Sequence, residues 1–484
     1  MQALEFAEDL DLTVHMAHAN ETVRSWAAEE FGSAKLKDAR WRTRLMAMGT
    51  QVGGRPAGTV SGVFNNAAAR QGAYGLLECA TVTRPQIAEA MFAAGARRCT
   101  SLPFVYVPVD GSSVTLTDIA RAKGFGSVGN HVHGARGLKV ISALLVSPQG
   151  VPLGLGSQIW WARAEDAARK NHKRRRTEEK ETRHWLEAME QTRQVMRAQA
   201  PQTRCWFQLD REGDAWPIIT NADKESHWFT IRGNHNRRVS LPDGSKTYLR
   251  LLVGLAPIAC TYNLSVSAGP KRRAREAIMV VRACSATLDF YDTVTEKHFP
   301  KTLNIVLARE QRTTPTGEDP IEWLLLTNRP ITTHGELIEV VTGYGLRWRI
   351  EEFHHTWKSG ACEVEQMQLR SIAAAEKWAT MLAAVAVRIE RLKLLSRKEP
   401  ERPASDEFTP TELRAIILLR FGDKARQVLP DATEPTLKQA VQWVAEIGGY
   451  TGKSSGGPPG TVTLSRGLRE VLVAVRVLAV MGDL

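Results

Sequence analysis

The feature that most constrains the fold is one predicted helix, from Glu336 to Lys358, which carries polar groups on an otherwise apolar side. At about 100° and 1.5 Å of rise per residue, four polar side chains fall within roughly 60° of one another: Tyr344, Arg347, Glu351 and Lys358. Burying an acid, two cations and a phenol together is costly unless the stripe meets a metal ion and phosphates. A salt-bridged helix face with Arg347 and Glu351 as an ordinary i,i+4 ion pair is the open alternative.

The residues around this stripe form a motif. The run Tyr344-Gly-Leu-Arg-Trp-Arg-Ile-Glu-Glu-Phe-His-His-Thr-Trp-Lys358 closely resembles the Y-R-E-K signature of bacterial DDE transposases, the cut-and-paste group that includes the transposon-five transposase. The resemblance implies that Glu351 is the last of three metal-binding acids. Glu352 points about 100° away on the helix, so we expect it to lie off the site. The other two acids are expected at strand ends upstream.

Two upstream runs of β-forming residues each end in an aspartate. One run is Phe104–Asp110 and the other is Cys205–Asp210. The second continues as Arg-Glu-Gly-Asp, which resembles the family's D-R-E-x-D pattern. The first reads Asp-Gly-Ser-Ser where D-T-T is more usual, and Pro108 is unusual in a central strand. An aspartate after a strand is more often a turn former than a ligand, so only the combination of three acids favours a metal site.

The order of elements between these acids predicts a ribonuclease H-like core. Val140–Val146 and Val151–Trp160 flank a Ser-Pro-Gln-Gly turn, which predicts a hairpin. Thr177–Ala198 has apolar residues at helical spacing and is followed by a proline, which predicts an amphipathic helix. Strand, hairpin, helix, strand is the order of that core, and a further strand is expected at His227–Arg232. The predicted fold class is therefore α/β.

The flanking regions predict helical domains on both sides of the core. Residues 1–83 are expected to form an N-terminal helical domain that binds DNA ends, residues 84–395 the catalytic domain, and residues 396–484 a C-terminal helical dimerisation domain. Short β-like runs from about 251 to 332 predict a β-rich insertion, which the family also carries. Thr409-Pro-Thr-Glu412 is a capping box that opens a C-terminal helix. The apolar stripe of the last helix fits either a helix-pair interface or packing within its own domain: Leu468, Val471, Leu472, Val475 and Leu478.

The resemblance implies phosphoryl transfer assisted by divalent cations. Mg²⁺ prefers oxygen ligands, and carboxylates from separate elements can hold two ions about 3.5–4 Å apart, one activating the attacking oxygen and one stabilising the leaving oxygen. We therefore expect two Mg²⁺ ions, for which Mn²⁺ substitutes, at Asp110, Asp210 and Glu351. The implied steps are nicking, hairpin formation on the transposon end, hairpin opening and strand transfer, all in one site.

Further residues are expected to contact the DNA. Arg347 and Lys358 would clamp phosphates, as a fork and a point charge, and Tyr344 would hold a phosphate through its hydroxyl. A DNA hairpin requires a flipped base, and Trp323 lies where the family has the aromatic platform for it. A core strand tryptophan is the alternative for this residue. Two more positions match family residues and are expected to approach DNA: His354 and Arg232.

Basic residues are clustered along the chain. One cluster, Lys35–Arg44, contains three arginines to which the resemblance assigns end recognition: Arg40, Arg42 and Arg44. A second run, Arg169–Arg176, lies in the loop before the amphipathic helix, and a third, Lys271–Arg275, lies in the insertion. These runs are expected to contact DNA phosphates, and a solvated surface is the alternative.

Composition narrows the partner and the compartment. The 484 residues carry a formal net charge of +12, which points to a polyanion such as double-stranded DNA. The six cysteines contain no C-x-x-C pair, as expected of reduced thiols in a cytoplasm. No apolar span suits a membrane, the acidic N-terminus does not resemble a signal peptide, and Gly448–Ser454 lacks the first glycine of an ATP-binding loop. We expect a cytoplasmic, nucleoid-associated protein that binds neither membranes nor ATP.

Together these features predict a DNA transposase that acts as a homodimer. The dimer would pair two transposon ends, and each subunit would catalyse on the end held mainly by its partner. Two alternatives stay open. A metal-dependent nuclease of the same fold would cut DNA and release the products. A non-catalytic transposition inhibitor would bind DNA through its N-terminal and insertion surfaces alone, although the complete set of acids argues against it.

Overall fold

The computed structural model describes residues 25–129, 134–163, 176–224, 227–241, 244–269, 272–292, 294–425, 434–453 and 457–482. The basic run Arg169–Arg176 lies outside the described residues except at its last position, and so does Lys271 of the insertion cluster. No helix within the described residues has both the length and the apolar composition needed to cross a membrane.

Short helices form the N-terminal part of the described chain, and side chains cap their first turns. Four capping residues accept hydrogen bonds from backbone N–H groups: Ser25, Asp38, Thr59 and Asn66. A fifth helix begins with a capping box between Thr83 and Gln86. The helices are α1 (Trp26–Phe31), α2 (Ala39–Gly54), α3 (Val60–Val63), α4 (Ala67–Glu78) and α5 (Arg84–Arg97). Their apolar residues share one buried cluster with helices of the C-terminal half.

The central sheet begins with a strand, a hairpin, a helix and a strand, in the order that the sequence predicts. The elements are β1 (Phe104–Thr115), β2 (Gly126–Ser127), β3 (Arg136–Val146), β4 (Pro152–Trp161), α6 (Thr182–Gln199), β5 (Arg204–Leu209), α7 (Trp216–Ala222) and β6 (Trp228–Arg232). β3 pairs antiparallel with both β4 and β1, while β1, β5 and β6 run parallel. Helices α6 and α7 cover one face of this sheet. The predicted α/β fold with a ribonuclease H-like core is confirmed.

The register of the parallel strands β1 and β5 places two acids at one level of the sheet. Pro108 lies opposite Gln208, so Asp110 and Asp210 both follow two residues beyond this pair. Pro108 is tolerated in β1 because the ladder to β3 skips it and resumes at Val109. Both strands are largely buried, as is usual for parallel strands covered on both faces. The two aspartates therefore emerge side by side at one edge of the core.

The predicted β-rich segment extends the same sheet. Its elements are β7 (Arg238–Ser240), β8 (Lys246–Tyr248), α8 (Leu249–Leu255), β9 (Ile258–Val266), β10 (Arg275–Asp292), β11 (Lys297–Glu310) and β12 (Glu322–Thr327). β12 pairs antiparallel with β6, and the order across the sheet is β2-β3-β1-β5-β6-β12-β11-β10-β7-β8. β4 lies beside β3, and β9 lies beside β10. β10 and β11 are longer than the β-like runs Ala277–Arg282 and Thr302–Leu307 of the sequence, because the two strands pair over most of their length.

The prediction of a single helix over Glu336–Lys358 is wrong. The segment forms two helices, α9 (His334–Leu346) and α10 (Arg349–Lys358), with Arg347 and Trp348 between them. The N–H groups of these two residues donate to carbonyls three residues back, so the chain tightens into a 3₁₀ turn. Two glycines, at 343 and 345, precede the turn and weaken the helix. Because the backbone angles of the turn stay right-handed and helical, the apolar spacing of the sequence conceals the break.

Gly343 sets the distance between α9 and the sheet. A Cβ atom at this position would lie 2.3 Å from the ring of Tyr106 on β1, so only glycine permits this approach. The Tyr106 hydroxyl then donates to the Glu339 carbonyl at 3.2 Å. The end of α9 is thereby held over β1, next to Asp110.

The C-terminal part of the chain is helical. Its helices are α11 (Ile372–Lys398), α12 (Pro410–Phe421), α13 (Leu437–Ile447) and α14 (Thr461–Gly482). α12 begins at the predicted capping box, in which Thr409 and Glu412 exchange hydrogen bonds. The apolar stripe predicted on α14 packs inside the chain, because Leu468 and Val471 are buried and Leu472 lies against Gly54 of α2. A different set of valines on α14 is exposed: Val462, Val473, Val477 and Val480.

A buried lysine joins the N-terminal helices to α11. Lys377 is only 3% exposed, and its Nζ donates to the carbonyl oxygens of Leu77 and Cys79, each at 2.8 Å. These carbonyls lie at the C-terminal end of α4, where the helix dipole favours a cation. The neighbouring Trp378 donates through its indole N–H to the Gly58 carbonyl at 2.6 Å. Polar contacts from one helix thus fix the position of the N-terminal region.

Lys377→Met is expected to destabilise the protein by about 1–3 kcal/mol, because it removes the donor of the buried Leu77 carbonyl, whereas the Cys79 carbonyl keeps the Val82 N–H at 3.3 Å. Urea unfolding of the purified chain measures this loss. Lys398→Met, at an exposed position of the same helix, is the matched control and should change stability by less than about 0.5 kcal/mol. Equal stability of the two variants would contradict the anchoring role of Lys377.

Candidate active site

Acidic side chains from separate helices and strands lie close together beside β1. Asp110 from β1, Glu351 from α10 and His354 one turn further offer ligand atoms that all lie within 4.8 Å of one another. Asp210, which directly follows β5, is close enough to raise the pKa of Asp110. The structure therefore brings Asp110 and Glu351 together with His354, and Asp210 lies near this group without being one of its members.

The carboxylates of this site are crowded. Burial raises the pKa of Asp110 to about 8, and the carboxylate of Glu351 adds to the effect while the guanidinium of Arg347 opposes it. Asp210 raises the pKa of Asp110 further. In the absence of a cation, Asp110 therefore holds a proton at neutral pH. Oxygen ligands that repel one another in this way fit a divalent cation such as Mg²⁺, which relieves the repulsion.

His354 lies buried against the acids as a neutral ring. Burial lowers the pKa of His354 to about 3, and the cations Lys358 and Arg347 lower it further. Its Nδ1 atom is 4.0 Å from Asp110 Oδ2, too far for a hydrogen bond, and its Nε2 atom has no hydrogen-bond partner among the described residues. Neutral imidazole is the form that can bind a metal ion. The ring is 6% exposed, which leaves little surface for a DNA contact.

The two aspartates of the Asp210–Asp214 motif have different environments. Asp210 accepts a hydrogen bond from the Glu212 N–H at 2.8 Å, which fixes it at the start of a short 3₁₀ helix. Asp214 is buried and accepts hydrogen bonds from the Asn234 N–H at 2.6 Å and from the Arg237 guanidinium at 2.9 Å. Asp214 therefore stabilises the loop after β6, whereas Asp210 lies close enough to Asp110 to raise the pKa of that residue.

The two predicted phosphate-binding cations lie at opposite ends of α10. Arg347 Nη1 is 3.4 Å from Glu351 Oε1 and 4.0 Å from Asp110 Oδ2. Lys358 Nζ is 3.6 Å from Glu365 Oε1, and Glu365 also accepts a backbone N–H at the end of β1 at 2.9 Å. Arg347 therefore lies among the acids, whereas Lys358 is paired apart from them.

Three further residues predicted to approach DNA pack against one another beside the acids. The rings of Tyr344 and Trp323 meet edge to face with their centroids 5.2 Å apart. The phenol of Tyr344 is 5% exposed and lies near the side chain of Arg232, which donates to the Glu322 carbonyl at 3.0 Å. Trp323 is partly buried, which agrees with both the core and the platform interpretation.

Trp348 is a candidate residue that the sequence analysis did not single out. It lies in the turn between α9 and α10, next to Arg347, and 61% of its surface is exposed. A continuous helix would group it with the apolar neighbours of the stripe, but the 3₁₀ turn leaves its ring in solvent. The available signal was an aromatic residue between two arginines, Arg347 and Arg349, a combination typical of nucleic-acid contacts.

The N-terminal arginines are exposed on α2. Arg40 has 90% of its side chain exposed and pairs with Asp38 at 2.7 Å. Arg44 lies one turn further on the same side and covers Gly72 of α4, whereas Arg42 points about 160° away from Arg40. All three side chains are open to solvent. Arg40 and Arg44 therefore form a basic surface on one side of α2, and Arg42 lies on the opposite side of the helix.

Comparison with known families agrees with this architecture. A transposase DNA-binding model matches residues 23–82, a transposase DDE-domain model matches residues 137–388, and a Tn5 transposase dimerisation-domain model matches residues 384–480. The DDE-domain match spans more than half of the chain and includes Asp210 and Glu351. Asp110 precedes that match, so its assignment rests on its position beside Glu351. The chain belongs to the DDE transposases and is of the Tn5-like kind.

Proposed function

We propose that this chain catalyses cut-and-paste transposition in one active site formed by Asp110, Asp210 and Glu351. The observation that carries the proposal is the approach of Asp110 and Glu351 within 4.8 Å in a chain of this family. The steps are nicking, hairpin formation on the transposon end, hairpin opening and strand transfer. The three acids would hold Mg²⁺ or Mn²⁺, two ions in each site, with His354 beside them. These ions, when bound, would supply activation of the attacking oxygen and stabilisation of the leaving oxygen.

The cations around the acids are suited to position a phosphodiester. Phosphoryl transfer depends more on positioning and charge stabilisation than on an acid or base side chain. Arg347 reaches Glu351 with one nitrogen at 3.4 Å, and its fork would direct a phosphate towards the acids. Lys358 would exchange Glu365 for a second phosphate, since its ion pair at 3.6 Å is partly exposed.

Aromatic residues are suited to displace and hold a base during hairpin formation. Trp348 stands exposed beside Arg347, so its ring can enter a base stack as an apolar wedge. Trp323, which packs edge to face against Tyr344, would receive the displaced base, and the Tyr344 hydroxyl would hold a phosphate. Arg232 would place a positive charge beside the phenol of Tyr344.

We infer that α14 supplies the contact between two subunits. The match to the Tn5 dimerisation domain covers almost all of this helix. Four of its valines fall within roughly 60° of one another at helical spacing and are exposed: Val462, Val473, Val477 and Val480. An exposed apolar surface of this kind is typical of an interface. Arg40, Arg42 and Arg44 of one subunit would then hold a DNA end on which the acids of the other subunit act.

Two competing functions are distinguished by the products. The chain is incubated with Mg²⁺ and DNA that carries the ends of its own element, and the strands are resolved on a denaturing gel. Hairpin and joined products are expected from a transposase. Cut products alone would favour a nuclease of the same fold, and intact but bound DNA would favour a non-catalytic transposition inhibitor.

Glu351→Ala is expected to lower strand cleavage on the order of 1,000-fold or more, because it removes one of the groups that hold the cations. Binding of end DNA should stay within about twofold of wild type, since affinity comes mainly from phosphate contacts. A gel-shift assay and a cleavage assay on the same DNA measure the two effects. Glu401→Ala, at an exposed position outside the site, is the control. Cleavage by Glu351→Ala at the wild-type rate would contradict the proposed function.

Asp110→Asn is expected to stabilise the metal-free protein at alkaline pH. The pKa of Asp110 is about 8 in the folded chain and about 4 in an unfolded chain. Between these values only the folded state keeps the proton, so wild-type stability falls as the pH rises from about 4 to about 8. Asp110→Asn does not titrate and so does not lose this stability. Its melting temperature, measured by calorimetry at pH 8 in chelator, should be a few degrees higher than that of wild type.

The same pair of proteins reports on cation binding. Mg²⁺ added at pH 8 should raise the melting temperature of wild type, because the cation binds only the folded state. The melting temperature of Asp110→Asn should rise much less. Two results would contradict the assignment of Asp110. One is a lower melting temperature of Asp110→Asn than of wild type in chelator, and the other is an equal rise in the melting temperature of both proteins on addition of Mg²⁺.

Val477→Glu is expected to weaken the paired-end complex at least tenfold, since burying an unpaired carboxylate in an apolar contact is costly. Folding should be unaffected because the side chain is 53% exposed in the single chain. Sedimentation of the protein with end DNA measures the paired complex. The control is Ala479→Glu, which is also exposed but points about 160° away from Val477 on the helix. Equal pairing by both variants would exclude this face as the subunit contact.

A further inference from the structure

A chain of polar contacts lies behind α10, on the side away from the acids. The Thr356 hydroxyl donates to Glu390 Oε1 at 2.5 Å, and Glu390 Oε2 lies 2.5 Å from Lys393 Nζ. Lys393 Nζ is in turn 4.0 Å from Glu352 Oε1, and Glu352 Oε2 accepts a hydrogen bond from Arg349 at 2.6 Å. We call Thr356, Glu390, Lys393 and Glu352 the α10–α11 relay, because two members come from each helix.

The relay is buried where it crosses between the helices. Thr356 and Glu390 are each 1% exposed, and the side chain of Lys393 is 12% exposed. A buried carboxylate is costly unless its partners reach it with good geometry, so the relay favours one relative placement of the two helices. Arg349 extends the contacts to the β3–β4 turn by donating to the Gly150 carbonyl at 3.1 Å. Glycine is needed there because its φ is +87°.

The relay holds one side of α10 against α11. On an α-helix, Glu352 lies about 100° and Thr356 about 140° around the axis from Glu351. These two residues therefore fix one side of α10 to α11 while Glu351 points to Asp110. We propose that Thr356 and Glu390 are positioning residues, which aim the Glu351 carboxylate at the cation site through the backbone of α10. The proposal rests on the proposed function of Glu351.

The size of the effect follows from helix geometry. A carboxylate on the outside of a helix lies roughly 5–6 Å from the axis, so a rotation of about 20° moves it by about 2 Å. A misplacement of only about 1 Å in a reacting site can cost about 100-fold in rate. Trp357 also anchors α10, by donating to the Ala379 carbonyl at 3.0 Å, so loss of the relay leaves the helix packed. The relay is therefore suited to set the aim of Glu351 without being needed for folding.

Thr356→Val and Thr356→Ser separate the hydrogen bond from the packing. Valine keeps the shape of threonine but has no hydroxyl for Glu390, whereas serine keeps the hydroxyl. Binding of Mn²⁺ to the DNA-free, full-length protein is followed by electron paramagnetic resonance. Thr356→Val should weaken Mn²⁺ binding about tenfold and raise by a similar factor the Mg²⁺ concentration needed for half-maximal nicking. Thr356→Ser should behave like wild type in both assays.

Matched control variants separate a loss of cation binding from a general loss of stability. Glu376→Gln changes another acid of α11, one that faces Arg84 of α5 at 3.7 Å and not α10. It should leave Mn²⁺ binding unchanged, whatever its melting temperature. Glu390→Gln keeps an acceptor for the Thr356 hydroxyl but removes the charge that faces Lys393, so it should weaken Mn²⁺ binding less than Thr356→Val. This milder variant replaces Thr356→Val should the latter fail to fold.

The outcomes distinguish this proposal from the function on which it rests. Wild-type Mn²⁺ binding by both Thr356→Val and Glu390→Gln, or equal loss in Thr356→Val and Thr356→Ser, would overturn the positioning role. If Glu351→Ala is inactive while the relay variants bind and nick like wild type, only the positioning role fails. Nicking by Glu351→Ala would instead remove the proposed function together with the reason for aiming that carboxylate.

Discussion

Asp110 lies so close to Glu351 that the carboxylate of Glu351 helps to set the charge of Asp110. Burial and the neighbouring carboxylate raise the pKa of Asp110 to about 8. In the metal-free protein Asp110 is therefore protonated at neutral pH, which reduces the repulsion. The repulsion persists because rigid elements enforce it. The register of β1 against β5 fixes Asp110 beside Asp210, and the seat of α9 on Tyr106 brings the start of α10 over the same edge. A site of this kind is destabilised when empty and gains most from a cation, which is the usual cost of a preorganised centre.

Much of this arrangement could be predicted from the sequence because its signals are local. Cys205–Leu209 is a short apolar run that ends in an acid, and a buried parallel strand is the structure that such a run favours. Glu351 lies on a helix with a clear polar stripe, so its direction could be deduced from periodicity alone. Asp110 was harder to assign since Pro108 argues against a central strand. That objection fails for a tertiary reason, namely the gap in the β1–β3 ladder at this residue, which no local pattern records.

The features that the sequence pattern did not reveal have a common physical origin. Sequence periodicity reports which side of a helix is apolar, but it does not report what covers that side. The break at Arg347 and Trp348 keeps helical backbone angles, so it leaves the periodicity intact while turning Trp348 out to solvent. On α14 the regular stripe containing Leu468 and Val471 packs inside the chain, and the exposed valines form a second, less regular stripe. The long β10–β11 ladder was also underestimated because strand pairing extends β structure through residues of weak propensity.

The adjacent acids Glu351 and Glu352 illustrate how one helix serves two opposite requirements. Glu351 projects towards the Asp110 carboxylate, and the guanidinium of Arg347 at 3.4 Å offsets part of the repulsion between them. Glu352, one residue on, faces Arg349 and Lys393 and belongs to a set of ion pairs that holds the helix. A helix that carried only the first kind of acid would tend to rotate or withdraw until the repulsion fell. The second kind opposes this movement, because rotation would separate buried charges from their partners. The ion pairs of Glu352 on one side of α10 thus hold Glu351 close to Asp110 on the other side. Part of the contact to Glu352 comes from α11, whose C-terminal half lies within the match to the dimerisation domain.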